Sequence, residues 1–212
     1  DLEALGPYLP LASALGRFAL ELARGEPSTI ALEYYGEIAE RDTRLLTLAA
    51  LNGAFRGRVD QLVNYVNAPL IAAERGIEVR EERSRSARDY TNLVRVEVRD
   101  GAERVRVAGT TIGREHRPWL VNALGFEIEL ELARLLVLLR YDDVPGVIGR
   151  VGTLFGEAGV NIASMTVSRS RRGGKALMVL TVDSAPPAEL VDRIRVEGFD
   201  DARVLELGPV AD

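Results

Sequence analysis

The sequence predicts an α+β protein of two units, helices followed by an antiparallel sheet and then a βαββαβ unit. Three observations carry that prediction. From Ile77 the spacing of apolar residues changes from near four to two, as expected where helices give way to strands. The stretch Asp143–Asn161, DVPGVIGRVGTLFGEAGVN, holds a helix start, a glycine-lined helix and a helix stop within 19 residues. After residue 134 the pattern reads strand, helix, strand, strand, helix, strand. That order lays two helices on one face of a four-stranded antiparallel sheet, the ferredoxin-like arrangement.

Taken in order, the chain opens on PYLPLASALGRFALELARG, an amphipathic helix with Leu11, Leu15, Phe18 and Leu22 on one face. It ends about Ala23–Gly25, before the turn GEPS. Thr29–Ile38 alternates and is rich in aromatic and branched side chains, which suits a strand. Arg41–Phe55 is a helix with Leu45, Leu48, Ala49 and Phe55 inward. Asp60–Arg75 carries apolar Leu62, Val63, Val66, Leu70 and Ile71 but is interrupted by Pro69, so two helical pieces are expected, with Asn67 capping the second. Glu78–Glu82, Leu93–Arg99, Glu103–Thr110 and Trp119–Leu130 read as strands of an antiparallel meander, with a tight hairpin at Asp100–Gly101. Helices followed by strands argue against a parallel nucleotide-binding sheet. The second unit has strands over 135–141, 160–169, 175–183 and 202–207 and helices over 146–158 and 187–196. No proline- or glycine-rich linker separates the units around 131–134, so they are expected to be closely joined.

Composition narrows the function. With 212 residues and 47% apolar side chains the chain can fill two ordinary cores, and a net charge of −5 offers no basic face for nucleic acid. Cysteine is absent and His116 is the single histidine, which excludes thiolate chemistry and multi-histidine metal sites. No window approaches the roughly 18 apolar residues of a membrane span, so a soluble cytoplasmic protein is expected. An opening without methionine that runs straight into a helix suggests a segment of something longer. Lys175 is the sole lysine among 27 basic residues, a bias better read as genomic base composition than as design for phosphate.

Enzyme signatures are missing. Gly149, Gly152 and Gly156 form neither a dinucleotide fingerprint nor a phosphate loop, and their spacing suits a helix lying close against a neighbouring backbone. RSRRGGK, residues 169–175, reads as a solvated hairpin turn, and Arg88–Asp89 and Glu81–Glu82 as surface charge. His116 reads as an exposed loop residue, and Arg114, His116 and Arg117 are kept as a possible anion cluster. Asp143–Asn161 is richer. Pro145 suits a first helical turn, Gly159 suits the residue just past the end, and Asp143 sets a carboxylate near the positive helix end. With the free N–H groups over 145–148 and the Asn161 amide, these groups could hold the ammonium and carboxylate of a free amino acid. The residues alone equally allow Asp143 and Asn161 to be a helix-start and a turn residue.

Leu135–Leu207, with YDDVPGVIGRVGTLFGEAGVNIASM, resembles an ACT domain, the ferredoxin-like regulatory module that binds amino acids. NGAFRGRVDQLVNYVNAPLIAAERGI and RVAGTTIG resemble the allosteric substrate-binding domain that precedes the ACT domain in long-form bacterial D-3-phosphoglycerate dehydrogenases. The resemblance covers nearly the whole chain. It implies the regulatory half of an NAD-dependent enzyme that commits 3-phosphoglycerate to serine synthesis, with L-serine as feedback inhibitor. It divides the chain into an exit helix from an absent catalytic portion (1–25), an allosteric substrate-binding domain (26–133) and an ACT domain (134–212). Tyr141, Asp143 and Asn161 match the family's serine-binding positions, Asn161 reaching in from a second ACT domain, and Val144, Pro145, Gly146 and Ile162 flank them in the same site.

The resemblance further implies a homo-oligomer held through ACT and substrate-binding domains, working with catalytic domains of the same polypeptide. No metal and no cofactor are expected in this segment, NAD belonging to the catalytic portion. One departure concerns a second anion site, whose basic side chains fall on Trp119 and Glu131 here. Neither can replace a cation, unless Arg114, Arg117 or Arg134 supplies the charge from a shifted position. Two other readings remain, a structural oligomerisation module that binds nothing, and a regulatory segment of an iron–sulfur L-serine dehydratase.

Overall fold

The computed structural model describes residues 2–87 and 89–210, so Arg88 of the Arg88–Asp89 pair lies outside the described residues, as do the ends of the 1–25 and 134–212 divisions. Its strands form two sheets. The first contains β1 (Thr29–Gly36), β2 (Glu78–Ser84), β3 (Asn92–Asp100), β4 (Glu103–Ile112), β5 (Arg117–Ala123) and β6 (Phe126–Glu131), in the order β2-β1-β3-β4-β5-β6. The second contains β7 (Leu135–Asp142), β8 (Ile162–Arg169), β9 (Lys175–Val182) and β10 (Asp201–Glu206), in the order β10-β7-β9-β8. The predicted α+β class and the ferredoxin-like second unit both hold.

In the first unit α1 (Leu2–Leu5) precedes α2 (Tyr8–Leu22), whose Leu11, Leu15, Phe18 and Leu22 are all buried. The second helix therefore lies in the centre of the first core, against α3 (Arg44–Phe55) and one face of the sheet. The antiparallel meander is limited to β3–β6. β1 joins it antiparallel against β3, while β2 pairs parallel with β1, from Thr29 opposite Glu78 to Tyr35 opposite Ser84. A parallel pair needs a crossover, which α3 and α4 (Ala68–Glu74) supply. The expected single strand Trp119–Leu130 is two, folded back at Leu124 and Gly125, both with positive φ (54° and 83°). Two left-handed residues are what a two-residue hairpin with the right twist demands.

Only one helical piece forms between residues 60 and 75, and Asn67 does not cap it. The Asn67 carboxamide instead accepts the Asn64 N–H at 2.8 Å and donates to the Leu62 carbonyl at 2.8 Å, while the Asn64 side chain accepts from Val66 and Asn67. These bonds fix the loop with Leu62 (87%) and Val66 (82%) exposed rather than on an inner helical face.

In the second unit α5 (Val147–Glu157) and α6 (Ala188–Val196) cover one face of the sheet. α5 ends as predicted, with Gly159 at φ +70° and the Val160 N–H bonded to the Phe155 carbonyl at 2.9 Å. Gly149, Gly152 and Gly156, however, face open space, and a Cβ at any of them would meet nothing within 4 Å. Close helix contact occurs elsewhere, between α2 and α3. A methyl group on Gly16 would run into the Ala50 carbonyl, and one on Gly53 into that of Ser13.

Alternate residues of the second sheet go to different cores. Leu135, Val137, Leu139, Met178 and Leu180 pack under the two helices, whereas Leu136, Leu138, Leu177, Val179 and Leu205 join the core of the first unit. The close junction expected from the missing linker is thus a shared core. The glycine contrast gives the first prediction. Gly53→Ala should destabilise the chain by about 3 kcal/mol through forced separation of the helices, while Gly152→Ala should be neutral or add about 0.5–1 kcal/mol; urea unfolding of both variants measures the difference.

Candidate effector site

The C-terminal end of β7 runs into the loop Asp143–Gly146 and then α5. Gly146 has φ 90°, a left-handed turn that directs the chain into the helix, so the helix begins at Val147 and Pro145 stands outside its first turn. Val144, Pro145 and Gly146 are exposed. The first N–H groups of α5 have no intrahelical acceptors and point into the same solvent-facing loop.

Asp143 is turned toward the β8–β9 hairpin. Its Oδ2 accepts from an Arg169 terminal nitrogen at 3.2 Å and from the Gly173 N–H at 3.4 Å, and its own N–H donates to the Gly174 carbonyl at 2.8 Å. The RSRRGGK turn, read from sequence as a solvated hairpin, therefore supplies the partner of the candidate carboxylate. Arg169 was legible only as one arginine among many. Beside it, the Lys175 ammonium bridges Asp142 and Asp200, each at 2.7 Å, and these two carboxylates hold its pKa above the usual lysine value. The Tyr141 ring is buried edge-to-face against Phe199, centroids 5.6 Å apart. Burial pushes its phenol up, and the neighbouring Asp143 charge adds to the shift.

Asn161 lies elsewhere. Its amide donates to Asp183 Oδ2 at 2.6 Å, and Ile162 pairs with Val182 at the far end of β9, whereas Asp142 pairs with Lys175 at the near end. Seven residues of strand separate them, about 23 Å at the usual rise of about 3.3 Å per residue. One chain thus gathers Tyr141, Asp143, Val144, Pro145 and Gly146 but not Asn161 and Ile162.

The possible anion cluster sits at one end of the first sheet. Arg114 and His116 are on the exposed β4–β5 turn, and Leu132 bonds the Pro118 carbonyl at 2.8 Å, which brings the chain leading to Arg134 alongside. Arg117 is already engaged by Glu115 at 2.7 Å and Glu131 at 3.6 Å, so its charge is spent within the chain. Trp119 and Glu131 are cross-strand neighbours, which leaves no cation at either position. Among the described residues no group of three or more histidine, aspartate and glutamate side chains could hold a metal ion. No described helix is long and apolar enough to cross a membrane.

The β10-β7-β9-β8 sheet, two helices on one face and a polar loop after the first strand define an ACT domain, and the ACT domain family matches residues 135–199. Residues 4–123 match the D-3-phosphoglycerate dehydrogenase intervening domain, and the chain belongs to that family. Relatives named D-3-phosphoglycerate dehydrogenase include that of Archaeoglobus fulgidus, 34% identical over 98% of this chain and 40% of its own length. That of Bacillus subtilis is 36% identical over 86% of this chain and 35% of its own length. That of Mycobacterium tuberculosis strain H37Rv is 31% identical over 97% of this chain and 39% of its own length. The chain thus spans about two fifths of the length of the curated relatives it matches.

The lysine bridge predicts a pH signature. A raised folded pKa means that its stabilisation is complete below the unfolded value of about 10.4 and is lost as pH rises through the folded one. Melting temperatures of the parent and Lys175→Met should therefore differ near pH 8 and converge only above the unfolded value.

Proposed function

We propose that this chain is the regulatory part of a cytoplasmic D-3-phosphoglycerate dehydrogenase and that two copies bind L-serine between their ACT sheets. The supporting observation is the open edge of β8 together with the two ends of the candidate site. Among the described residues β8 is paired on one side only, an edge that invites strand addition. Antiparallel pairing of two β8 strands about a twofold axis sets the start of one strand beside the end of the other. Asn161 of the partner subunit then approaches Asp143, the pair that a single chain holds a strand length apart.

In this arrangement Asp143 exchanges Arg169 for the serine ammonium, the first N–H groups of α5 receive the carboxylate, and the Tyr141 hydroxyl or Asn161 of the partner subunit meets the serine hydroxyl. Serine favours one relative arrangement of two chains by its differential affinity for it, typically about 1–3 kcal/mol. NAD and the dehydrogenase chemistry belong to a portion beyond this chain. The relatives' names support the dehydrogenase reading over a dehydratase. A second reading is an assembly module that binds nothing, favoured by Asp143 already having Arg169 and the Gly173 N–H as partners.

Calorimetric titration with L-serine separates the two. Saturable heat is expected, lost in Asp143→Ala with the fold intact by circular dichroism. Absence of heat at millimolar serine, with an oligomer persisting in sedimentation, would establish the assembly module instead.

A further inference from the structure

The two ends of β8 carry polar groups that one chain leaves only partly satisfied. At its end, Arg169 stands opposite Ala176 of β9, which in turn stands opposite Tyr141 of β7, and the guanidinium turns along this row to the Asp143 carboxylate. A single terminal nitrogen makes that bond, at 3.2 Å, and the side chain is 58% exposed. The other donors of Arg169 meet no acceptor among the described residues. At the start of the strand the Asn161 amide donates to Asp183 Oδ2 at 2.6 Å, and the Asp183 N–H donates to the Asn161 carbonyl at 3.2 Å. Asp183 is exposed and makes no ion pair with any described residue. The open edge thus has a loosely held cation at one end and a carboxylate without a counter-charge at the other.

Antiparallel pairing of two β8 strands about a twofold axis, with all eight residues overlapping, sets Arg169 opposite Ile162 of the partner subunit. Directly opposed residues share a face of the sheet. Arg169 shares its face with Ala176, and Ile162 shares its face with Val182, both buried under the helices, so the two sides of the new pairing agree. The row across the joined sheets reads Tyr141, Ala176, Arg169, then Ile162 of the partner subunit and Val182 of the partner subunit. Asp183 of the partner subunit follows at the end of that row. It lies two strand spacings from Arg169, about 10 Å between backbones, a gap that an arginine and an aspartate bridge. Arg169 therefore has a carboxylate on either side, Asp143 of its own chain inward and Asp183 of the partner subunit outward. Lys175 is held by Asp142 and Asp200, and Arg171 and Arg172 lie in the turn beyond the paired strand.

We infer that Arg169 is an exchange residue that couples occupancy of the effector site to pairing of two chains. Without effector it holds Asp143. When the effector ammonium takes Asp143, Arg169 turns outward to Asp183 of the partner subunit. That carboxylate then releases Asn161 of the partner subunit, whose amide meets the effector hydroxyl. This rests on the serine reading and adds the regulation of the same site. Each group that gives up a partner gains another, so the exchange strands no charge. Within one chain Arg169 and Asp183 stand at opposite ends of β8, about 23 Å apart, so the new pair exists only between chains. Effector binding thereby adds an intersubunit bond, and by linkage association must strengthen effector binding in return.

The test is a double-mutant cycle with the parent chain, Arg169→Gln, Asp183→Asn and the double variant. L-serine affinity is read by calorimetry and serine-promoted self-association by sedimentation. Asp183→Asn keeps an acceptor for the Asn161 amide and Arg169→Gln changes an exposed side chain, so both should fold, with circular dichroism as the check. Asp183→Asn is expected to weaken serine binding and serine-promoted association about threefold, the size typical of an exposed ion pair. In the Arg169→Gln background it should do neither. Equal losses in both backgrounds, or a loss abolished by Arg171→Gln instead, would overturn the exchange and leave the serine reading in place. No serine binding, or binding without association, would overturn both.

Discussion

The constraint on which the rest of the structure depends is burial of the ACT sheet from both sides. An antiparallel sheet commonly leaves one face wet, and its strands then alternate apolar and polar residues. Here β7 reads LLVLL and β9 reads ALMVL, and every residue of both runs is buried. The odd-numbered members of β7 meet α5 and α6, and its even-numbered members meet the first unit. Fully burying one such side chain contributes about 1.5–3 kcal/mol, so the five residues given to the first unit amount to a substantial interface with no linker to loosen it. A chain of this kind has two sheets but no independent second half, because a separated ACT unit would expose Leu136, Leu138, Leu177, Val179 and Leu205 together.

This constraint also explains what was legible in the sequence. The second unit was read nearly element for element because its signals are local. Gly159 stops α5, glycines mark the β8–β9 turn, and long apolar runs mark strands whatever covers them. The same runs held the information that both faces are buried, since a one-sided sheet would have alternated. The first unit was less legible because its defining features are not local. The parallel pairing of β1 and β2 is made across some 40 residues of chain and leaves no mark in either strand. The fold-back at Leu124 was hidden because a leucine occupies a left-handed position that favours glycine or asparagine, leaving Gly125 as the single signal.

The glycines show the same limit at finer scale. Gly149, Gly152 and Gly156 have the spacing of a close helix contact, yet Gly16 and Gly53, isolated in their helices, are the ones that touch a neighbouring backbone. Spacing along one helix cannot say whether another helix lies on that face. The candidate site was legible in its residue types but not in their placement. Asp143 and Asn161 belong to opposite ends of the sheet, a consequence of β7 and β8 running parallel on either side of β9. Arg169, the present partner of Asp143, was hidden in a turn whose composition pointed only to solvent.

Two-sided burial bears on how a ligand at the end of β7 could be felt elsewhere. Tyr141 and Asp142 continue a strand whose preceding residues are locked alternately into two cores. A displacement of the Asp143 loop cannot be absorbed by sliding β7 alone, because close-packed interiors yield in steps rather than continuously. The softer element is the exposed hairpin after β8, tied to the loop by Arg169 and the Gly173 N–H, which both donate to the Asp143 carboxylate, and by the Asp143 N–H bond to the Gly174 carbonyl. On the proposed reading, exchange of Arg169 for an effector ammonium frees the end of β8 first. That strand forms the open edge, and its Thr166 hydroxyl donates to the Glu129 carbonyl of β6 at 3.1 Å. Effector binding would then act on pairing between copies and on contact with the first unit through one strand, leaving the doubly buried β7 and β9 as the fixed frame.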